Sequence, residues 1–333
     1  MNKKSAKRKL LRKLKKKLAR VQQRKQYKRS RYFPSKEVDA TNHDQEMARL
    51  YIIGNGFDLW HGLPTSYGEF YAFSKGTLDE IEQYYSFDLL EYEPWNDFEN
   101  ALGKFTWEEF FDFHNEVDVT SEHFKPKDIY GLEDELTQQT DIHVSTIKET
   151  FLGWVSQIDI QSAQPKLTFP GKSKFINFNY TSTLQSVYGI EDDRVFHIHG
   201  RAGSNDDLVF GHGENVDEPP ESEEYEEITG SMFTDAEREA KYPLIALKKP
   251  VDQVLEYNRG YFDRLKDINE IVVIGHSLNN IDQPYFCRIA DTAKSARWKV
   301  CCYTDEEKVG HVQALMSCGI NQDNIQVCTY ADL

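Results

Sequence analysis

Short apolar runs that end in glycine or in polar residues recur along the chain and predict buried strands. Continuous apolar runs of this length are typical of parallel strands that are covered on both faces. The strongest run covers residues 270–274, and the first covers residues 50–53. Further strands are predicted at residues 174–179, 194–199, 208–210 and 297–303, the last of which is the final strand that the pattern supports.

Helical segments separate these runs. Residues 66 to about 165 are rich in aromatic side chains and show no alternating strand pattern, which predicts a helical insertion after the first strand. Residues 242–265 are also predicted to be helical. Strands that alternate with helices favour a parallel sheet covered on both faces. The predicted fold class is therefore α/β, with a Rossmann-like parallel sheet.

Basic and acidic residues are unevenly distributed along the chain. Residues 3–31 hold 16 of the 40 basic residues and no acidic residue, so all 55 acidic residues lie elsewhere. We expect residues 1–46 to be a disordered basic tail, or a basic amphipathic helix that contacts nucleic acid, an anionic surface or the acidic body. Alternatively, we expect the natural protein to begin at Met47, without this tail. Residues 47–333 form the α/β domain, and the acidic residues 214–240, which include Pro219 and Pro220, are expected to form a mobile loop.

Apolar segments and cysteines in the sequence indicate the cellular compartment of the protein. No apolar stretch approaches the roughly 18 to 20 residues of a membrane helix, so we expect no transmembrane segment. The N-terminus lacks the apolar region of a signal peptide. The five cysteines contain no CxxC pair, which argues against a zinc ribbon and favours reduced, buried thiols in a reducing compartment, most simply the cytoplasm. They are Cys287, Cys301, Cys302, Cys318 and Cys328.

Polar motifs follow the predicted strands at the point where each strand ends. In open α/β sheets, ligands bind outside the carboxyl ends of the strands, so we expect these motifs to converge on one crevice. The candidate residues are Gly54, Asn55, Gly56 and Asp58 after the first strand, Asn177, Asn179 and Thr181 after the second, His197 and His199 after the third, then His212, and finally Gly275, His276, Ser277 and Asp282.

The glycine turn and the asparagine motif each have two interpretations. Gly54 and Gly56 allow close approach of a diphosphate, or they form a tight turn between strand and helix. Asp58 is expected to cap the helix rather than to contact a ribose hydroxyl. Asn177 and Asn179 alternate with apolar neighbours, so both are expected on one face, where they position a water or a ribose hydroxyl or stabilise a turn.

The histidines also leave alternatives open. His197 and His199 are expected to share one strand face. Such a pair suits a metal ion, with His212 and His276 completing the ligands. It also suits one general base with a supporting neighbour, or two hydrogen-bonded core histidines.

Four of these motifs together resemble a known family. Residues 50–58 (LYIIGNGFD), 177–181 (NFNYT), 197–200 (HIHG) and 274–278 (IGHSL) look like the bacterial abortive-infection family AbiH. The match spans residues 47 to 302. That family in turn resembles the sirtuin-like NAD-binding fold, in which residues 54–56 match the glycine turn, Asn179 and His199 match active-site positions, and residues 275–277 match a turn that faces the nucleotide.

The resemblance implies a function. Thr181 stands where sirtuins carry an acid, and no cysteines are placed for their zinc ribbon, so protein deacylation is not expected. The implied activity is hydrolysis of NAD to nicotinamide and ADP-ribose in phage defence, without a metal. Asn179 would orient a water or a ribose hydroxyl, and His199 would act as a base or stabilise the ribose hydroxyls.

Two other functions remain as alternatives. One is a module that senses a nucleotide without turnover, and the other is a metal-dependent nuclease or phosphohydrolase built on the histidines. Self-association and a phage-derived trigger are the further partners that we consider, because an NAD hydrolase needs control. The acidic residues 214–240 are expected to gate the crevice as a lid, with a disordered surface insertion as the alternative.

Overall fold

The structure is a computed structural model, which describes residues 48–85, 98–204, 206–216 and 232–333. The predicted basic tail, residues 1–46, lies outside the described residues. So do residues 217–231, which make up most of the acidic segment for which we predict a gating loop.

Six parallel strands form one sheet in the order β3-β2-β1-β4-β5-β6. This is the strand order of the Rossmann fold, in which the order reverses between β1 and β4. The predicted α/β class with a Rossmann-like parallel sheet is confirmed. The strands are β1 (Arg49–Ile53), β2 (Lys174–Asn177), β3 (Val195–His197), β4 (Glu270–Ile274), β5 (Arg297–Cys302) and β6 (Ile325–Thr329).

The two central strands are buried on both faces, as their apolar sequences predict. Ile52 and Val273 point into one core, and Ile53 and Ile274 point into the other; all four are fully buried. Burying such a side chain contributes about 1.5 to 3 kcal/mol, so these runs are stable only in the middle of a covered sheet. The pairing of Ile53 with Ile274 brings the carboxyl ends of β1 and β4 side by side.

Helices cover both faces of the sheet and fill the segment between β1 and β2. The helices are α1 (Asn55–Trp60), α2 (Tyr67–Glu82), α3 (Phe98–Leu102), α4 (Trp107–His114), α5 (Pro126–Ser156), α6 (Thr183–Tyr188), α7 (Thr234–Ala240), α8 (Tyr242–Ala246), α9 (Val251–Tyr257), α10 (Arg259–Asp263), α11 (Gln283–Thr292) and α12 (Asp305–Ser317). Helices α2 to α5 form the insertion that the sequence predicts.

The insertion has its own aromatic core. The rings of Phe70 and Phe98 lie with centroids 5.0 Å apart, and those of Phe151 and Phe210 lie 4.3 Å apart. Edge and offset packing of this kind adds to the stability that the buried area provides. Because Phe210 precedes the motif at His212, this second core reaches the polar edge of the sheet.

Several predicted elements differ from the structure. Residues 208–210 are not a strand; Val209 instead donates its N–H to the carbonyl of His199. Residues 242–265 form three short helices, α8, α9 and α10, instead of one. Pro250, which lacks the N–H that a continuous helix needs, separates α8 from α9, and α9 ends at Tyr257 before α10 begins at Arg259. Residues 234–240 of the predicted loop form α7, and the final strand β6 was not predicted.

The cysteines also differ from the expectation. Cys287 and Cys318 form a disulfide, so the prediction that all five thiols are reduced is wrong for this pair. Cys301, Cys302 and Cys328 are free and buried, as expected. The cytoplasmic location was inferred from reduced thiols and stays a prediction. Among the residues that the structure describes, we find no helix with the length and apolar character to cross a membrane.

Candidate functional site

The glycine turns after β1 and β4 pack directly against each other. Gly56 donates its N–H to the carbonyl of Gly275 over 2.7 Å, and Gly54 donates to Ile274 over 3.0 Å. A Cβ atom on Gly275 would lie 2.1 Å from the nitrogen of Phe57, and Gly275 has a φ of +71° that favours glycine. The space beside these glycines is therefore filled by the neighbouring backbone, which joins the two strand ends into one rigid edge.

The asparagine motif forms a turn beyond β2. The strand ends at Asn177, whose Oδ1 accepts the N–H of Asn179 over 3.0 Å, so the two side chains do not share a strand face. The turn-stabilising interpretation is correct for Asn177. The carboxamide of Asn179 instead donates to the carbonyl of Gly54 over 3.0 Å, which fixes it against the glycine turn.

Asp58 is buried beneath this turn and does not cap α1. The helix begins after Gly54 with no side-chain cap, and Asp58 accepts a hydrogen bond from the hydroxyl of Thr181. Thr181 in turn accepts from Thr183 over 3.1 Å. Burial raises the pKa of Asp58 to about 6, although the hydrogen bond from Thr181 acts in the opposite direction. The expected cap is thus a buried carboxyl that holds the turn after β2 against α1.

A second polar cluster is centred on Asp282. Its Oδ1 lies 2.9 Å from Nζ of Lys249 and 3.5 Å from Nε2 of His199, and its Oδ2 lies 3.5 Å from Nε2 of His276. All four side chains are buried. The backbone N–H of Leu278 donates to Nδ1 of His276 over 2.9 Å. In the neutral ring the proton is therefore on Nε2, which faces the carboxylate.

Lys249 extends this cluster to the helical insertion. Its ammonium also lies 3.1 Å from Oε1 of Glu99 on α3, and that oxygen accepts the N–H of Gly211 over 3.3 Å. Burial alone would raise the pKa of Asp282, but the Lys249 ammonium acts together with His199 and His276 to hold it well below its usual range. Burial raises the pKa of Glu99 despite Lys249. Asp282 is therefore the ionised partner, and Glu99 is the carboxyl that more readily holds a proton.

His199 is neutral in this environment. Burial lowers its pKa to about 4, and the nearby Lys249 ammonium acts in the same direction, against the opposing effect of Asp282. The ring packs edge-on against Phe178, with centroids 5.1 Å apart. At neutral pH this imidazole can donate and accept hydrogen bonds without carrying charge.

The two clusters adjoin at the glycine turn. A Cβ on Gly54 would lie 2.8 Å from Cβ of His276, while the carbonyl of Gly54 holds Asn179. One continuous polar edge therefore runs from Asp58 through Asn179 and His276 to Lys249. Most of its side chains are shielded from solvent, but Asn55 and Ser277 are exposed on the two turns. A ligand that reaches this edge meets those two residues first.

The residues that build this edge lie within a stretch that matches a known family. The family model described as bacteriophage abortive infection AbiH matches residues 50–302. The chain belongs to the AbiH family. No curated protein and no solved structure matches it.

Two predicted site residues of this AbiH chain have other partners. His197 ends β3, and its Nε2 lies 2.9 Å from Nε2 of Gln185 on α6. Its Nδ1 lies 3.3 Å from the backbone carbonyl of Asn179, so His197 borders the site but does not join His199 at Asp282. His212 is fully buried, and its Nε2 lies 2.8 Å from the carbonyl of Leu244. Both rings therefore connect the edge to neighbouring helices, while His199 and His276 converge on Asp282.

Sequence reasoning missed Glu99 and Lys249. Both are charged residues in segments that look solvated, and their spacing along the chain carries no motif. Their burial is explained only by the contact between the insertion and the end of β4. Buried charges of this kind need partners: Lys249 has two, in Asp282 and Glu99, and Glu99 has Lys249.

Proposed function

We propose that this AbiH chain is an abortive-infection effector that binds NAD at the carboxyl edge of β1 and β4 and hydrolyses it to nicotinamide and ADP-ribose. One observation carries the proposal. Asn179, His199, His276 and Asp282 converge at the point where the strand order reverses, which is where nucleotides bind in doubly wound sheets.

Asn179 and His199 take different roles in this mechanism. Cleavage breaks the bond between the nicotinamide nitrogen and the ribose carbon, the nitrogen keeps the bonding electrons, and water adds to the carbon with loss of a proton. A histidine with a pKa of about 4 is a weak base at neutral pH, so His199 supports the reaction by hydrogen bonds to the ribose hydroxyls. Asn179 orients the water, and Asp282 holds the two imidazoles.

The burial of this edge implies that it opens before a nucleotide enters. Glu99 belongs to the insertion and Asp282 to the Rossmann core, and Lys249 lies between them. The Lys249–Glu99 contact therefore closes the insertion over the edge. Nucleotide binding therefore has to supply the free energy that separates this contact.

A nucleotide sensor without turnover is the second candidate. It is favoured by the burial of Asn179 and His199, which leaves neither side chain exposed to a substrate in this conformation. The metal-dependent hydrolase receives less support from the geometry. The carboxylate of Asp282, which a metal ion would need as a ligand, is already paired with the ammonium of Lys249 over 2.9 Å.

A time course of NAD loss and nicotinamide release with the purified chain tests the proposal. We expect turnover by the natural sequence, and a loss of about 10² to 10³ in rate for Asn179→Ala and for His199→Ala, because each removes one positioned hydrogen-bonding group. If both variants turn over NAD at the natural rate, the assigned roles are wrong. If NAD binds but is never cleaved, the sensor is the correct function.

His143→Ala is the matched control for this assay. His143 is a buried histidine in the insertion, and burial lowers its pKa to about 4, as for His199. Its Nε2 contacts the hydroxyl of Tyr85 over 2.7 Å, within the aromatic core. Loss of a buried histidine destabilises both variants, so a rate that falls only in His199→Ala reflects the site.

A further inference from the structure

A cluster of metal-ligating side chains lies beyond the edge described above, where β5 meets α12. Cys302 is the last residue of β5, and Glu307 and His311 lie on α12. One ligand atom from each of the three side chains lies within 4.8 Å of the others. Glu307 and His311 are four residues apart, so they lie on the same face of the helix.

The distances fit one bound cation. Sγ of Cys302 lies 3.2 Å from Nδ1 of His311. Around a tetrahedral zinc ion, a thiolate sulfur and an imidazole nitrogen lie about 3.5 Å apart, given Zn–S and Zn–N bonds of about 2.3 and 2.0 Å. The two atoms therefore need to separate by only a few tenths of an ångström to hold the ion.

The remaining atoms of the cluster are held in suitable orientations. Oε2 of Glu307 accepts the backbone N–H of Tyr303 over 2.7 Å, which fixes the carboxylate at the mouth of the cluster. The imidazole of His311 also interacts with the backbone carbonyl of Ser277 on the turn after β4. Metal-ligating histidines commonly have such a carbonyl partner, which orients the ring and leaves the other nitrogen for the metal.

We infer that Cys302, Glu307 and His311 bind a divalent transition-metal ion, with zinc favoured by the thiolate, imidazole and carboxylate ligands. Three protein ligands leave a fourth position on the solvent side, next to exposed Glu307, for water. Through His311 and Ser277, the ion fixes α12 to the turn that borders the proposed nucleotide site. The inference does not depend on the proposed NAD hydrolysis.

A nucleophilic cysteine is the competing interpretation of the Cys302–His311 contact. Such a cysteine needs a thiolate at neutral pH. The thiol of Cys302 is buried, and the Glu307 carboxylate lies within 4.8 Å of it, so both surroundings oppose a free thiolate. A negative carboxylate beside a thiol opposes the free thiolate but favours a cation that neutralises both groups.

Metal analysis and cobalt titration of the full chain test this inference. We expect about one zinc ion per chain after purification without chelators. After zinc removal, Co²⁺ should produce a thiolate-to-cobalt charge-transfer absorption that saturates at one equivalent. Cys302→Ser should abolish that absorption, and Glu307→Gln should weaken Co²⁺ binding at least about tenfold.

Two matched controls decide the outcome. Cys301→Ser alters the neighbouring buried thiol, which contacts Cys328 instead, and Glu306→Gln alters the neighbouring exposed carboxylate on α12. Both controls should bind Co²⁺ like the natural chain. Because Glu307 is exposed, its variant remains informative even if Cys302→Ser fails to fold. No Co²⁺ absorption in the natural chain, or equal Co²⁺ affinity of Glu307→Gln and Glu306→Gln, would overturn the inference.

Discussion

At the scale of single residues, burial sets the charge states of the candidate site. Lys249 stays charged because Asp282 and Glu99 raise its pKa, although burial alone would lower it. His199 loses its charge because burial and Lys249 act together. The site therefore combines an ionised pair, Lys249 and Asp282, with the neutral imidazole of His199. Each of these charge states depends on the neighbouring side chains.

Asp58 makes a pH-dependent contribution to stability. Its folded pKa of about 6 lies above its usual value of 3.8, so ionisation is more costly in the folded than in the unfolded chain. The free energy of unfolding should therefore fall as pH rises through this window, by about 3 kcal/mol in total from this group. Asp58→Asn should remove that fall.

Urea unfolding of the natural chain and of Asp58→Asn at about pH 4 and pH 7 measures the effect. The stability of Asp58→Asn relative to the natural chain should rise by about 2 kcal/mol between the two pH values, because the unfolded carboxyl is already more than half ionised at pH 4. Asp79→Asn, which changes an exposed aspartate on α2, is the control. A difference between Asp58→Asn and the natural chain that is the same at both pH values would contradict the account.

At the scale of elements, the contact between the turns after β1 and β4 holds the edge together. Gly275→Ala places a Cβ against the nitrogen of Phe57 at a φ of +71°. We expect the free energy of unfolding to fall by at least about 2 kcal/mol, because neither backbone can move away without breaking its strand.

Gly310→Ala is the matched control for this substitution. Gly310 lies within α12, where an added Cβ meets no atom within 4 Å. There the same change should raise the free energy of unfolding by about 0.5 to 1 kcal/mol, because alanine favours the helix. Equal effects of the two changes on denaturant unfolding would show that the glycine turns are not closely packed.

The sequence predicts the strands that are apolar along their whole length. It does not predict edge strands, or the residue at which a strand ends, because tertiary contacts determine both. β1 and β4 were predictable because each is an apolar run that ends in glycine. β6 was missed because it is a half-exposed edge strand with polar Gln326 and Thr329. The alternation at residues 177 and 179, and at residues 197 and 199, predicted that each pair lies on one face of a strand. Both strands instead end at the first residue of the pair.

The position of the candidate site on the sheet could be predicted from the sequence, but the ion pairs within it could not. Asn179, His199, His276 and Asp282 follow strand ends, so topology alone brings them to one edge. Glu99 and Lys249 come from distant segments, and a charged residue gives no sequence signal that it will be buried. Their roles depend on how the insertion packs on the core.

At the scale of the whole molecule, an aromatic helical insertion closes over a Rossmann core. The insertion contributes Glu99, the core contributes Asp282, and Lys249 connects the two over one buried edge. We propose that this edge is the nucleotide site, whether the chain hydrolyses NAD or only senses it.

The most direct test is titration calorimetry with a carbocyclic NAD analogue whose bond to nicotinamide cannot be hydrolysed. Ser277→Trp fills the exposed turn after β4, and Ser145→Trp makes the same change at an exposed position on α5. We predict that the natural chain and Ser145→Trp bind the analogue with equal affinity, and that Ser277→Trp does not bind it. No binding by the natural chain, or unchanged binding by Ser277→Trp, would contradict the account.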